Sequence, residues 1–299
     1  MKKIVIFTML ILLITILSAE VISVTLPKKE VVKLEPYAHF DFADINESSA
    51  IVKSRVWDDV YWTLNDSGCN NRIFPFNSKG ELYRAEWYEE NDGGIFIGNA
   101  INIDWEEMAV DNDDNLYICD TGNNFNTRKD LAIYVVKDPY PFATGNTTAF
   151  QTIKFYYPEQ KEFPADPNNY DCEAVFCANG NLYLLTKHRA DTQTHLYRFD
   201  SMDQLTINPI NRIGTFEIGG MVTAADASPD GEKLAILTYS NVWVFEVQNG
   251  DDYFHGKISW LPIKANQCEA VCFDGDDLII TSEQMELIKL PLTELIPVN

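Results

Sequence analysis

Polar and apolar positions along this chain repeat in one order: an acidic residue, small and apolar residues, a turn, a β-rich run and a polar end. Five segments follow it: Glu47-SSAIVKSRVWDDVYWTLNDSG, Glu106-EMAVDNDDNLYICDTGNN, Glu173-AVFCANGNLYLLTKH, Asp226-ASPDGEKLAILTYS and Glu269-AVCFDGDDLIITSE. The turns DNDDN, ANGN, SPDGE and DGDD are rich in the Asn, Asp and Gly that accept positive φ and close hairpins. The runs LYICD, LYLLT, LAILT and LIITS are short, apolar and rich in strand formers. Each segment is therefore expected to form a β-hairpin. Between the hairpins lie further strand candidates: RIFPF and ELYRAEWY, LAIYVVK and FQTIKFYYP, HLYRF and INRIGTFEI, NVWVFEV and KISWLPI. Two central and two outer strands make a four-stranded blade. The acidic residues recur at intervals of 59, 67, 53 and 43 residues, which bracket a blade. The expected fold is all-β, a β-propeller of five four-stranded blades, with six the alternative if residues 106–173 hide a degenerate one. Only the run at 287–290 and a short tail follow the last hairpin. The N-terminal segment VVKLEPYAHFDFA is therefore expected to supply the outermost strand of that blade and close the ring.

In an antiparallel hairpin the start of the first strand lies opposite the end of the second. Glu47 is thus expected beside Asn65, Glu106 beside Asp120, Glu173 beside Thr186, Asp226 beside Thr238 and Glu269 beside Thr281. Ring symmetry gathers these rims around one mouth of the central channel. The candidate metal ligands there are Glu47, Asp104, Glu106, Asp120, Asn123, Asn124, Asp171, Glu173, Asp226 and Glu269, with Asn65, Asp66, Thr186, Lys187 and Glu283 beside them. Carboxylates and Asn carbonyls are hard oxygen donors suited to Ca2+. Packed together without a cation they repel, and some take up protons. The same groups suit a second role, capping backbone amides and tying blades together. Because an acid recurs in every blade, part of its role is architectural; Asp104, Asp120, Asn123, Asn124 and Asp171, found at single blades, are the candidates for more.

Lys187 and His188 are the basic groups expected at this rim, as ion-pair partners or as an anion contact. His39, His195 and His255 have no ligand spacing and read as surface or core residues. No HExxH, GxSxG elbow or phosphate-binding Gly loop is present.

The first residues bear on compartment. Lys2 and Lys3, an apolar run over 4–17 and the small residues Ser18 and Ala19 describe a secretory signal peptide over residues 1–19. The competing reading is an uncleaved anchor running to about Val24, barely long enough to span a bilayer. A secreted or periplasmic protein is expected, with a single propeller domain over residues 30–299 and membrane contact only if the segment is uncleaved. The formal charge is −22, and losing Lys2 and Lys3 takes it to −24. So acidic a chain repels nucleic acid and anionic membranes and favours cations and cationic partners. Apolar residues at 46% and aromatics at 12% are enough to fill one large core, and a monomer is expected. Six cysteines, Cys69, Cys119, Cys172, Cys177, Cys268 and Cys272, sit in or beside apolar runs, so bridges and buried thiols are both open. Among the glycosylation patterns at Asn46, Asn65 and Asn146, only Asn146 lies in a loop-like stretch.

The ordered series WTLNDSG, DWEEMA, ICDTGNN, DCEAV, TAADASPDG and CEAV resembles a group of exported, mostly bacterial propeller proteins with NDSG, DWED, GD-GDN, D-EA and SPDG segments. The resemblance covers nearly the whole mature chain and implies fold and export; the group is largely without an assigned activity. More distantly the chain is similar to esterase-like phytase and SdiA-regulated propellers and to calcium-dependent lactonase and gluconolactonase propellers. That likeness implies a central calcium, its ligands falling here on Glu106, Asn123 or Asn124, Glu173 and Asp226. ICDTGNN departs from the group in having Asn for a second Asp. Two functions follow as expectations. One is a scaffold or a binder of a small-molecule or protein ligand at the channel mouth, with Ca2+ there. The other is a metal-dependent hydrolase of esters, lactones or phosphoesters.

Overall fold

The computed structural model describes residues 20–298 except 67, 69 and 90–92; the expected signal peptide and Cys69 lie outside them. Five antiparallel sheets form the blades of a propeller. From the channel outward, blade 1 runs through Ser48–Lys53, Tyr61–Asn65, Arg72–Phe76 and Ile95–Ile97. Blade 2 runs through Trp105–Val110, Asn115–Asp120, Ala132–Lys137 and Gln151–Tyr156. Blade 3 uses Asp171–Ala178, Asn181–Lys187, Gln193–Arg198 and Asn211–Glu217. Blade 4 uses Val222–Ala227, Lys233–Thr238, Asn241–Glu246 and Lys257–Lys264. Blade 5 takes Cys268–Asp274, Asp277–Ser282 and Glu286–Pro291 from the C-terminal part of the chain and its outer strand, Pro36–His39, from the N-terminal part. The N-terminal strand thus closes the ring, with five blades rather than six.

Strands with apolar residues on both faces need cover on both. Five hydrophobic clusters supply it, one in each wedge between neighbouring blades. In the inner strand of blade 1, Ala50 and Val52 face blade 2 while Ile51 faces blade 5. This two-sided burial is why the runs read as continuously apolar instead of alternating. Outer edges are covered as well. Asn146–Thr147, Ile207–Pro209, Val21–Ile22 and Val32–Lys33 add short parallel strands to blades 1, 2, 3 and 4. Residues 21–39 thus cross three successive blades and block edges that could pair with another chain. No helix among the described residues is long and apolar enough to cross a membrane. The five described cysteines are free thiols.

One strand expectation fails. The segment ELYRAEWY makes only an isolated bridge, Leu82 to Phe76, and the outer strand of blade 1 is Ile95–Ile97 instead. The cause is Pro75. Its carbonyl accepts the Tyr83 amide at 2.8 Å on the outer side of its strand. Its missing N–H is on that same side, so a ladder cannot continue past it.

The closing strand is held at its end by a tight contact. Gly80 has φ +83°, and a Cβ there would lie 2.3 Å from the His39 carbonyl oxygen. Gly275 also has positive φ, +62°, but open space around it. Gly275→Ala should therefore cost only the left-handed penalty, about 1 kcal/mol, and Gly80→Ala at least about 2 kcal/mol, in equilibrium urea unfolding. Equal costs would show that the Gly80–His39 contact does not secure the ring.

Candidate functional site

Every inner strand carries a β-bulge near its start, at the second residue or, in blade 3, the third. The register shifts between Ser48 and Ala50, Trp105 and Glu107, Cys172 and Ala174, Val222 and Ala224, and Cys268 and Ala270. The bulged residues are thus Ser49, Glu106, Glu173, Thr223 and Glu269. A bulge leaves its residue out of the ladder and re-aims the side chain. Ser49, Glu106, Glu173 and Glu269 line a mouth cavity of about 160 Å³. Where the ring position is a hydroxyl residue, it ties the next blade: Ser49 Oγ donates to the Glu106 carbonyl at 2.8 Å and Thr223 Oγ1 to the Cys268 carbonyl at 3.0 Å.

This register corrects the expected ring of five acids. Glu47 precedes the bulge by two residues and lines the cavity from the rim. Asp226 is further from the mouth, opposite Ala235, and its Oδ2 accepts the Phe273 amide of blade 5 at 2.8 Å. Thr223, not Asp226, holds the ring position of blade 4.

Polar contacts divide the mouth in two. On the side of blades 3 to 5 the acids have donors. Lys187 pairs with Glu173 and donates to the Tyr239 hydroxyl at 3.0 Å. Tyr239 donates in turn to Glu269 at 2.8 Å, and Gln267 donates to Glu269 at 2.9 Å and also to Glu283. Arg189 donates to Asp171 Oδ2 through Nη2 at 2.8 Å and Nε at 3.1 Å, and reaches Asn124 and Glu173. The second basic group of the rim is therefore Arg189 and not His188. The His188 side chain is fully buried in blade 3, with Nδ1 2.7 Å from Asp191 and its ring edge-on to His195 at 4.4 Å.

On the side of blades 1 and 2 the mouth is acidic. Asp66, Asp104 and Glu106 each bring one carboxylate oxygen within 4.8 Å of the others. The backbone of Gly122 closes that space: a Cβ there would fall 2.3 Å from Asp104 Oδ2 and 2.4 Å from Glu106 Oε1. Asp120, Asn123 and Asp171 stand behind the mouth as supports. Asp120 Oδ1 accepts the Asp104 amide at 2.9 Å and Arg128 at 3.0 Å. Asn123 receives Arg128 N at 2.9 Å and donates to the Tyr170 carbonyl at 3.1 Å, while its own amide reaches Asp171 at 2.7 Å. Of the ten expected ligands, Glu47, Glu106, Asn124, Glu173 and Glu269 line the cavity, Asp104 joins the acidic cluster, and Asp226 serves the channel interior.

Deeper in the channel lies a carboxylate that sequence reasoning passed over. Blades 1, 3, 4 and 5 place Ala50, Ala174, Ala224 and Ala270 after the bulge; blade 2 places Glu107, fully buried. Its two oxygens accept the Met108 amide at 2.9 Å and, across the channel, the Ala225 amide of blade 4 at 3.3 Å. Glutamate among four alanines at one repeat position was the signal available.

Burial dominates the proton affinities. It pushes Glu106 well above the usual carboxylate range, helped by Glu173, Asp66, Asp104 and Asp171. Glu107 is raised by burial, with its two amides pulling back. Burial also lifts Asp226 to about 6 against the pull of Arg55. Glu173 is pushed up to about 8 by burial together with Asp171 and Glu269, while Lys187 pulls it down. Glu173 and Glu269 in turn raise Lys187 against the opposing effect of its burial, so it stays charged.

These shifts set a pH dependence. Acids raised on folding stabilise fully below their unfolded values near 4 to 4.5, and that stability is lost as pH rises through the folded values, about 6 for Asp226 and about 8 for Glu173. The buried histidines act oppositely. Burial lowers both His188 and His195, the latter to about 3, so their contribution is complete above 6.5 and lost on acidification. Between about pH 6.5 and 8 the histidine contribution is complete and the raised acids set the slope. Thermal unfolding in chelator should show the melting temperature falling across that window; a flat or rising profile would contradict the assigned shifts.

No family model and no curated protein matches the sequence. Among solved structures, the chain is similar to a catalytically inactive variant of virginiamycin B lyase from Staphylococcus aureus with quinupristin. The TM-score is 0.42 at 15% identity, over 82% of this chain and 66% of that one. The selenomethionine form of that lyase gives 0.40 at 14%, over 81% and 65%. The chain spans just under two thirds of the length of these neighbours, and the five-bladed assignment stands on its own strand topology.

Proposed function

We propose that the protein is an exported, calcium-loaded binding propeller, with the ion held by Asp66, Asp104 and Glu106 and the ligand docking over it at the acidic mouth. The observation that supports this most is the convergence of three carboxylates, two of which, Asp104 and Glu106, pack against Gly122. Donor oxygens up to 4.8 Å apart need only a small closure to reach one ion at the roughly 2.3–2.6 Å of Ca–O bonds. Hard, anionic oxygens suit Ca2+ over softer metals, and an ion there offsets the burial and the neighbouring carboxylates that raise Glu106. Three carboxylates leave coordination positions for oxygens of a ligand, with Asn124 and Glu47 beside them.

A binding role fits the mouth better than hydrolysis. Lys187, Tyr239, Glu269, Gln267 and Arg189 form one hydrogen-bonded chain, and a base or nucleophile would have to be withdrawn from it. The signal-like start and the strongly acidic composition support export and a cationic or cation-bridged partner.

Protein stripped of metal and then given calcium at about a hundredfold excess over its Kd should melt roughly 5 °C higher than in chelator. Gly122→Ala, whose methyl occupies the gap, and Glu106→Gln should both remove that shift while keeping the β-sheet circular dichroism signal. A calcium response unchanged in both variants, or absent from the wild type, would rule the site out.

A further inference from the structure

On the flank of blade 2 a cavity of about 250 Å³ lies between the end of Gln151–Tyr156, the short strand Ile207–Pro209 and the chain at 128–131. Ala132, which follows that chain, pairs with Asp120, so the cavity sits toward the end of the blade that carries the acidic mouth. Its walls are mainly apolar. Leu131, Phe155 and Tyr157 are buried, whereas Tyr156, Phe163 and Ile207 remain 46%, 38% and 56% exposed. Ile207 pairs with Lys154 in the parallel ladder and therefore shares a sheet face with Tyr156. Three large apolar side chains thus stand in water around one hollow, and a guest that fills it removes that surface from solvent.

Charge and size narrow the guest. Arg128 and Lys129 line the cavity, and among the described residues no acid does. Arg128 is committed, through Nη1 to Asp120 at 3.0 Å and the Gly122 carbonyl at 2.8 Å and through Nε to Asp130 at 3.1 Å. Lys129 is exposed and makes no ion pair among the described residues; its Nζ lies 4.6 Å from the ring centroid of Phe163, a wall of the same cavity. The ammonium therefore stands at the aromatic wall, where it attracts a carboxylate and repels a cation. The net charge of −22 opposes anions at long range, but at physiological ionic strength fields are screened beyond about 8 Å. Four of the walls are aromatic, which favours a ring packed edge-on or offset against them. A cavity of about 150 Å³ takes a benzene ring, so this one takes a ring with a short arm. We infer that the flank of blade 2 binds a small aryl carboxylate, its ring beside Tyr156, Phe163 and Ile207 and its carboxylate on Lys129. No group of the acidic cluster lines the cavity, so the inference does not rest on calcium at the mouth.

The test is saturation-transfer NMR and calorimetry on the full mature chain, with and without chelator. Phenylacetate and phenylpropionate are the probes. Phenethylamine, phenethyl alcohol and acetate are the comparisons, which reverse the charge, remove it or remove the ring. At least one of the two acids should bind, more tightly than all three comparisons and equally in chelator. Lys129→Gln, at an exposed position, should weaken that binding about fivefold. Ile207→Trp, which fills the hollow from an exposed position, should block it, and both variants should keep the wild-type melting temperature. The inference is overturned if neither acid binds, if a comparison binds as tightly, if chelator abolishes binding, or if either variant binds the acid as the wild type does.

Discussion

The bulge near the start of each inner strand is the constraint on which the site depends. A regular ladder would send that residue into a wedge between blades, where the five hydrophobic clusters leave room only for alanine-sized or apolar groups. By taking one residue out of register, blades 1, 2, 3 and 5 instead present a side chain to the mouth, and in every blade but the second an alanine follows and keeps the wedge packed. Fivefold repetition then concentrates whatever the sequence places there. Three of those residues are glutamates, so three carboxylates arrive at the mouth by the same backbone device.

Their unequal treatment divides the mouth. Glu173 and Glu269 meet Lys187, Tyr239 and Gln267, whereas Glu106 meets Asp66 and Asp104. Burying like charges together is costly unless a proton or a cation joins them. The second row, Asp120, Asn123, Asp171 and Arg128, holds backbone in place so that the cluster cannot simply splay apart. Glu107 and Asp226 do for the channel interior what water does elsewhere, accepting amides of inner strands that no neighbouring strand can pair. The two ends of the channel differ accordingly. One gathers carboxylates; at the other the first hairpin turns of blades 2, 3 and 4 converge beside Arg55.

Much of the fold was legible because blades announce themselves. Apolar runs buried on both faces and Asn-Asp-Gly turns located every hairpin, and the short C-terminal tail pointed to the N-terminal closing strand. ELYRAEWY misled because its composition matches a strand, while the residue that forbids pairing, Pro75, stands in the neighbouring one. The site was legible in residue type and less so in position. Aligning the repeats on their acids put Asp226 in the ring; aligning them on the small residues that follow, Ala50, Ala174, Ala224 and Ala270, puts Thr223 there. His188 is expected at the rim because it adjoins Lys187 along the chain, but the strand ends at Lys187, and the bend that follows buries His188 and brings Arg189 to the rim.

The central claim is a cation between Asp66, Asp104 and Glu106. Its most direct test is a crystal of the mature chain soaked with a lanthanide, a strongly scattering stand-in for Ca2+ whose position an anomalous difference map reveals. The account predicts one dominant peak bounded by those three carboxylates and the Gly122 backbone. A map with no peak there, or with its main peak at Asp111 and Asp113 on the opposite mouth, would contradict it.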